Sequence, residues 1–328
     1  MMTTSARRQS PTRLACMELR GGNVAVEDNF AMPGLDVWVY SRPFEQSRSG
    51  GDVHYVSTCA TGRIARVLVA DVSGHGDEVG TAGAILRGLM AKYVNFLDQR
   101  KFFAAMNRRF ADLASTGGKF ATAVVMTYFA PTATLSVSNA GHPPPLLWRA
   151  GERRWSFLQH DCAPHRDGGA LAENLPLGVL DAARYDRFDL QLGPDDLVLC
   201  YTDPLVEARD ADGQLLSMAG LLRIADDVDG TVPAGVVPDF LAALGALRPG
   251  NLAGDDVTLL VFKPNGGAVR VPVADRLAAP GRVVGGLWRW ATGRGDGSRL
   301  PEFSLANLGG ALFDPLSHLW NRRAKPSP

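Results

Sequence analysis

The spacing of apolar positions changes period several times along this chain. From Leu35 to Phe44 (LDVWVYSRPF) apolar and polar residues alternate, which predicts a half-buried strand. DVHYVST (52–58) and IARVLVADV (64–72) predict two more, separated by CATG with Gly62 as the turn residue. From Val79 to about Gln99 the spacing becomes three and four, with Ile85, Leu89, Tyr93, Phe96 and Leu97 on one stripe, and a helix is expected. A second helix is expected roughly over 101–114, stopping before Gly117 and Gly118. Strands then return in FATAVVMTYF (120–129) and ATLSVSNAG (133–141), and PPLLWRAGERRWSFLQ (144–159) reads as a hairpin turning at Ala150-Gly151. Residues 160–176 lack periodicity and read as a loop. RYDRFDLQL (184–192) and DDLVLCYTD (195–203) are strands, 217–228 and 232–247 helices, and DDVTLLVF (255–262) a closing strand.

Helices do not alternate one-for-one with strands in this order, so a doubly wound parallel sheet is not expected. The order fits an α+β fold of two packed, mostly antiparallel sheets with helices outside. The segment before about residue 31 reads as a short lead, 31–264 as the folded domain, and 265–328 as an extension. That extension is rich in Gly, Pro and Arg and contains Trp288, Trp290 and Trp320.

Charge changes the picture little. Lys plus Arg and Asp plus Glu are 34 each, but 265–328 hold nine basic residues against four acidic ones, leaving the body mildly acidic. An acidic body argues against nucleic-acid binding. No apolar run approaches the ~18 residues of a membrane span, and no signal-like segment opens the chain. The four cysteines (16, 59, 162, 200) form no C-x-x-C pair, so reduced thiols in the cytoplasm are the simplest reading. The tail mixes Trp and Arg, which suits packing on the acidic body, a membrane surface or a partner. Opposite charge favours the body.

The candidate chemistry lies at strand ends. Asp52 follows Gly50-Gly51 at a strand start, Asp71 ends the VLVAD run, Asp203 ends LVLCYTD, and Asp255 and Asp256 open the last strand. A single Asp beside a turn is usually a cap or turn former, and Asp195 and Asp196 in GPDDLVL read that way. Four converging carboxylates would repel and raise one another's pKa. Mg²⁺ or Mn²⁺ would be the natural counter-charge for such hard oxygen ligands.

The ensemble SGGD, VADVSGHG, NAGHPPPLL, LPLGV, YTDPLVEA and DDVTLLVF, in that order over about 35–263, resembles the PPM family of metal-dependent serine/threonine phosphatases, in its SpoIIE-like bacterial branch. The resemblance implies an α-β-β-α sandwich. It implies two metal ions (Mn²⁺ or Mg²⁺) held by Asp52, Asp71, Asp203 and Asp255 with the Val72 carbonyl. It also implies a phosphoprotein substrate such as an anti-sigma-factor antagonist. Asp256 is expected either to orient water or to start the strand. His75 and His142 lie in family motifs and read first as packing residues. Arg42 and Arg48 are candidates for meeting the substrate phosphate. One departure stands out: Pro204 follows the third aspartate where the family carries glycine, and proline cannot adopt positive φ. A phosphatase, a non-hydrolysing pseudophosphatase and a small-molecule phosphohydrolase are therefore all carried forward.

Overall fold

The computed structural model describes residues 11–59, 61–74, 77–93, 99–117, 119–158 and 174–266. His75, Cys162, most of the 160–176 loop and the Trp-containing extension from 267 lie outside the described residues. In chain order the elements are β1 (Thr12–Arg13), β2 (Leu19–Gly22), β3 (Val26–Met32), β4 (Leu35–Arg42), β5 (Asp52–Thr58) and β6 (Ile64–Val72). Helices α1 (Asp77–Lys92) and α2 (Gln99–Gly117) come next. They are followed by β7 (Ala121–Phe129), β8 (Thr134–Ala140), β9 (Leu146–Arg149), β10 (Arg154–Phe157), β11 (Phe188–Gln191) and β12 (Leu197–Tyr201). The last are α3 (Pro204–Glu207), α4 (Ser217–Asp226), α5 (Pro233–Leu247) and β13 (Val257–Pro264).

The strands form two sheets, in the orders β1-β3-β4-β13-β12-β9-β10 and β11-β8-β7-β6-β5-β2. Every pair is antiparallel except β1 with β3. Three apolar layers hold the fold together. Val37, Val56, Val67, Val69, Val124 and Phe262 fill the space between the sheets. Phe102, Phe103 and Phe110 seal α1 and α2 onto the six-stranded sheet, and Trp155, Phe240 and Leu244 seal α4 and α5 onto the seven-stranded one. The helix-sheet-sheet-helix sandwich expected from the element order is thus realised. Among the described residues no helix is long and apolar enough to cross a membrane.

Two features depart from the pattern-based reading. Thr12 to Met32, read as lying in a lead, supply β1, β2 and β3. Their alternation is broken by polar residues because they lie at or near sheet edges, where one face remains wet. The strand expected over 184–192 is only Phe188–Gln191. Tyr185 instead turns into the helix-side core, and its hydroxyl donates to Asn107 Oδ1 (3.0 Å).

Central β6 is almost wholly buried on both faces, which explains its continuous apolar run. Its one basic residue, Arg66, is fully buried. It donates from Nε to Thr127 Oγ1 (3.1 Å) and from Nη1 to the Tyr93 carbonyl just past α1 (2.6 Å), and its guanidinium lies over the Phe102 ring. A buried donor thereby satisfies a helix-end carbonyl and fixes where α1 stops on the sheet.

Candidate metal centre

The β5–β6 hairpin pairs Asp52 directly with Asp71, placing two carboxylates side by side at the end of the inter-sheet layer. Such proximity is unfavourable without a counter-charge. The Asp52 carboxyl is 3 % exposed, and its pKa is raised well above the usual range by burial first and by Asp71 second. Hydrogen bonds from Thr202 and Thr258 oppose that rise. Thr202 Oγ1 donates to Asp52 Oδ2 (2.8 Å) and accepts the Thr258 amide (3.0 Å), so the far sheet orients a carboxylate of the near one.

Asp71 is pushed up to about 7, by burial and then by the charges of Asp203, Asp255, Asp256 and Glu207. Asp203 is pushed up to about 6 by burial, Glu207 and Asp255, against one backbone hydrogen bond. Asp71, Asp203 and Asp255 therefore feel one another from three separate chain segments, and Asp52 feels Asp71. Asp203 stands at the N-cap of α3, yet its side chain makes no capping hydrogen bond, which leaves the carboxylate to the site. Pro204 opens α3, where a fixed φ and a missing N–H are both tolerated. The concern that this position needs positive φ does not apply to this backbone.

The glycines have a definite purpose. A Cβ on Gly51 would stand 2.9 Å from the Val72 carbonyl oxygen, 3.3 Å from Asp71 Oδ1 and 3.4 Å from Asp256 Oδ2. Three oxygens thus surround the small space above Gly51. On Gly50 a Cβ would lie 2.5 Å from the Asp256 carboxylate. Gly50-Gly51 is the only backbone that can pass here without displacing those oxygens.

Asp256 does more than start a strand. Its Oδ1 accepts the Phe44 amide (2.6 Å), and its Oδ2 accepts the Gly51 and Asp52 amides, so it ties the start of β13 to the start of β5. Asp255 is exposed, and its Oδ1 accepts the Asp256 amide (2.7 Å). Among the described residues no three His, Cys, Asp or Glu side chains close into a ready-made metal cage. The donor set fits a hard divalent ion nonetheless: carboxylates and one carbonyl, mutually repelling, with no Lys or Arg salt bridge to Asp52, Asp71, Asp203 or Asp255 among the described residues.

Other expected residues fall outside the centre. His142 is buried and hydrogen-bonded through Nδ1 to Thr122 Oγ1 (2.9 Å); burial lowers its pKa to about 4. Arg42 donates to the Leu252 carbonyl and braces the loop before Asp255, while Arg48 is exposed. Asp196 accepts the Gly193 and Ala150 amides as a turn former, and Asp195 faces Lys263 (3.4 Å). The sequence reading missed Thr202, Thr258 and Glu207. Isolated threonines inside otherwise apolar strands were the available signal. Beside Asp255 and Pro204 a cleft of about 340 Å³ opens, with Glu207, Arg209, Arg248 and Asn251 in its walls.

A family model described as Stage II sporulation protein E (SpoIIE) matches residues 61–265. No curated protein matches the chain in sequence. Among solved structures, the RsbU and RsbW domains of Rv1364c from Mycobacterium tuberculosis superpose with a TM-score of 0.57 at 23% identity, over 75% of this chain and 64% of that one. The PP2C phosphatase domain of SpoIIE from Bacillus subtilis, with a fragment of its regulatory domain, gives 0.56 at 14%, over 76% and 64%. RsbX in complex with magnesium gives 0.51 at 13%, over 73% and 100%. The chain thus spans just under two thirds of the first two, and at these identities the likeness is one of fold. Family match and fold agree: the chain belongs to the SpoIIE family of PP2C-type phosphatase domains.

Proposed function

We propose that this chain is a metal-dependent phosphatase that hydrolyses phosphoserine or phosphothreonine on a regulatory phosphoprotein, such as an anti-sigma-factor antagonist, in the cytoplasm. The observation that carries the reading is the convergence of Asp71 Oδ1, the Val72 carbonyl and Asp256 Oδ2 on the small space above Gly51, with Asp52 paired to Asp71 across the hairpin and Asp203 and Asp255 close enough to raise the Asp71 pKa. Asp52, Asp71, Asp203, Asp255 and the Val72 oxygen would hold two Mn²⁺ or Mg²⁺ ions, and the magnesium in the RsbX structure agrees with that choice. Such ions supply Lewis acidity, activation of water and charge stabilisation at phosphorus.

The rest is the chain's own contribution. Thr202 aims the Asp52 carboxylate, Asp256 holds the Gly50–Asp52 turn in place, and the β5–β6 register keeps Asp71 opposite. No protein nucleophile is required. Cys59 and Cys200 are buried free thiols, and burial pushes the Cys200 thiol up, away from a reactive thiolate. The pseudophosphatase alternative rested on Pro204, which the start of α3 accommodates. We also read the folded unit as ending near Pro264, a reading supported by β13 lying inside the seven-stranded sheet, paired on both sides.

Release of phosphate from p-nitrophenyl phosphate and from phosphoserine peptides, with and without Mn²⁺ or Mg²⁺, tests the proposal. Ion-dependent turnover, faster on phosphopeptides than on sugar phosphates or nucleotides, is expected. Binding of phosphopeptide without turnover would replace the proposal with the pseudophosphatase reading. A preference for small phosphate esters would replace it with the third.

A further inference from the structure

The cleft beside the metal centre has two electrically different ends. At one end Glu207, Asp255 and Pro204, the residue after Asp203, line it, so this end adjoins the carboxylates. At the other end two guanidinium groups gather at a single turn. Arg209 Nη1 donates to the Gly213 carbonyl (2.7 Å), and Arg248 Nη1 would be 3.1 Å from a Cβ placed on Gly213. Among the described residues neither arginine forms a salt bridge, although both are exposed and like-charged.

Their backbones are fixed. Asn251 accepts the Arg209 amide (3.0 Å) and donates to the Arg209 carbonyl (2.8 Å) and to the Leu244 carbonyl (3.0 Å), joining the two arginine-bearing segments. Arg209 also bridges to Leu215 across the turn. The nearest acid in that turn, Asp210, directs Oδ1 to the amides of Asp212 and Gln214. Two guanidiniums held at one place by a braced loop form a seat for an anion that the chain does not itself provide.

The geometry points to this cleft as a substrate subsite that takes the carboxylate of an Asp or Glu flanking the phosphorylated residue of a protein substrate. The subsite rests on the phosphatase reading for the placement of the phosphorylated residue at the aspartates. The substrate chain would run from the carboxylate cluster, across Pro204, to the Arg209 and Arg248 groups. An acidic flank is drawn to the basic end and repelled from the acidic one, which fixes the end of the cleft at which it lies.

The test uses phosphoserine peptides that differ only by Glu or Gln at one flanking position, walked outward on both sides. For the wild-type chain, one position is expected to favour Glu by about five- to ten-fold, through KM and not kcat, the size of a partly exposed charge-assisted contact. In the Arg209→Gln/Arg248→Gln double variant that preference falls to about one, and Arg248→Glu favours a Lys peptide instead. Thermal melts confirm that each variant is folded. Equal treatment of Glu and Gln at every position, or a preference that survives in the double variant, overturns the subsite. Hydrolysis of p-nitrophenyl phosphate by the wild-type chain reports on the phosphatase reading alone. If it is absent, fluorescence-anisotropy binding of the same peptides still reads the cleft, and equal binding of the Glu and Gln forms overturns it.

Discussion

Replacing Asp71 with Asn should have opposite effects on the ion-free and ion-loaded protein. In the ion-free chain Asp71 titrates near 7 instead of the usual 3.8, because it is buried and faces other carboxylates. That is about three pH units, or ~4 kcal/mol of unfavourable charge above neutral pH at ~1.4 kcal/mol per unit. Solvent screening at a partly open site leaves roughly half, ~2 kcal/mol. The sign follows from linkage: the folded state binds the extra proton between about 4 and 7, so this cost is absent below about 4, grows as pH rises toward 7 and is fully present above it. Asn is nearly isosteric and uncharged. At pH 8 without ions, Asp71→Asn should therefore melt higher than wild type by about 4–8 °C, and at pH 5 the difference should shrink toward zero. Adding Mn²⁺ should reverse the ranking. Wild type gains about 2.7 kcal/mol at a hundred-fold excess over Kd, whereas the variant, missing a ligand, gains little. Turnover should fall on the order of 10²-fold or more. Differential scanning fluorimetry over a pH and Mn²⁺ grid, paired with phosphate release, reads all of this. A variant that shows the wild-type Mn²⁺ shift and wild-type turnover would refute the reasoning.

Four further outcomes are expected. Gly51→Ala should abolish the ion-induced rise in melting temperature, since its methyl group would enter the space shared by Val72 O and Asp71 Oδ1; a retained rise would count against that space as the site. Pro204→Gly should lower stability by about 0.4–1 kcal/mol through unfolded-state entropy, seen in urea melts, with ion affinity close to wild type; a large gain in affinity would show that the proline distorts the Asp203 loop. Arg66→Met should destabilise by about 2–4 kcal/mol, because it strips the donor from the buried Tyr93 carbonyl and Thr127; a urea midpoint near wild type would contradict the role given to that arginine. His142, held near 4 by burial, must stay neutral in the folded chain, so wild type should lose stability relative to His142→Asn as pH falls from about 6.5 to 4, by roughly 3 kcal/mol; a pH-independent difference in unfolding midpoints would refute it.

The sequence made the sandwich legible because its strands differ in character. β6 is apolar but for Arg66 and Asp71 and lies central; β4 alternates, with its odd-numbered residues buried and its even-numbered ones partly so or, at Arg42, exposed. The helices α4 and α5 carried a clear three- and four-residue stripe, and they lie close to where that stripe predicts. Strands β1 to β3 were not legible, because β1 and β2 are short edge strands and β3, next to the edge, is only partly buried along most of its length, so none has a distinctive period. At the site, the glycine pair and the strand-end aspartates were visible, since both are rare in apolar surroundings. The division of labour between Asp255 and Asp256 was not. Neighbouring identical residues look alike in a sequence, and only the position of the Phe44, Gly51 and Asp52 amides gives Asp256 its bracing role. Arg42, read as a phosphate contact, is engaged with the Leu252 carbonyl for a similar reason: its partner is distant in sequence.

The centre also explains why the two sheets meet where they do. Asp52 and Asp71 belong to the six-stranded sheet, while Thr202 and Thr258 belong to chain continuing from β12 and to β13 of the seven-stranded one. Ser41 Oγ, on the neighbouring β4, lies 3.0 Å from Thr258 Oγ1 and extends the polar chain across the second sheet. The inter-sheet layer is otherwise apolar and could slide by small amounts at little cost, because dispersion contacts are not directional. Hydrogen bonds to a buried carboxylate are directional, and a buried carboxylate without its partner is costly. The Ser41–Thr258–Thr202–Asp52 line therefore fixes the register between sheets at the one end where a sub-ångström error would misplace a ligand. The same line accounts for tolerating repulsion among the carboxylates. Asp52 is restrained by Thr202 and Asp256 by three backbone amides, while Asp71, Asp203 and Asp255 remain the groups able to adjust to an ion.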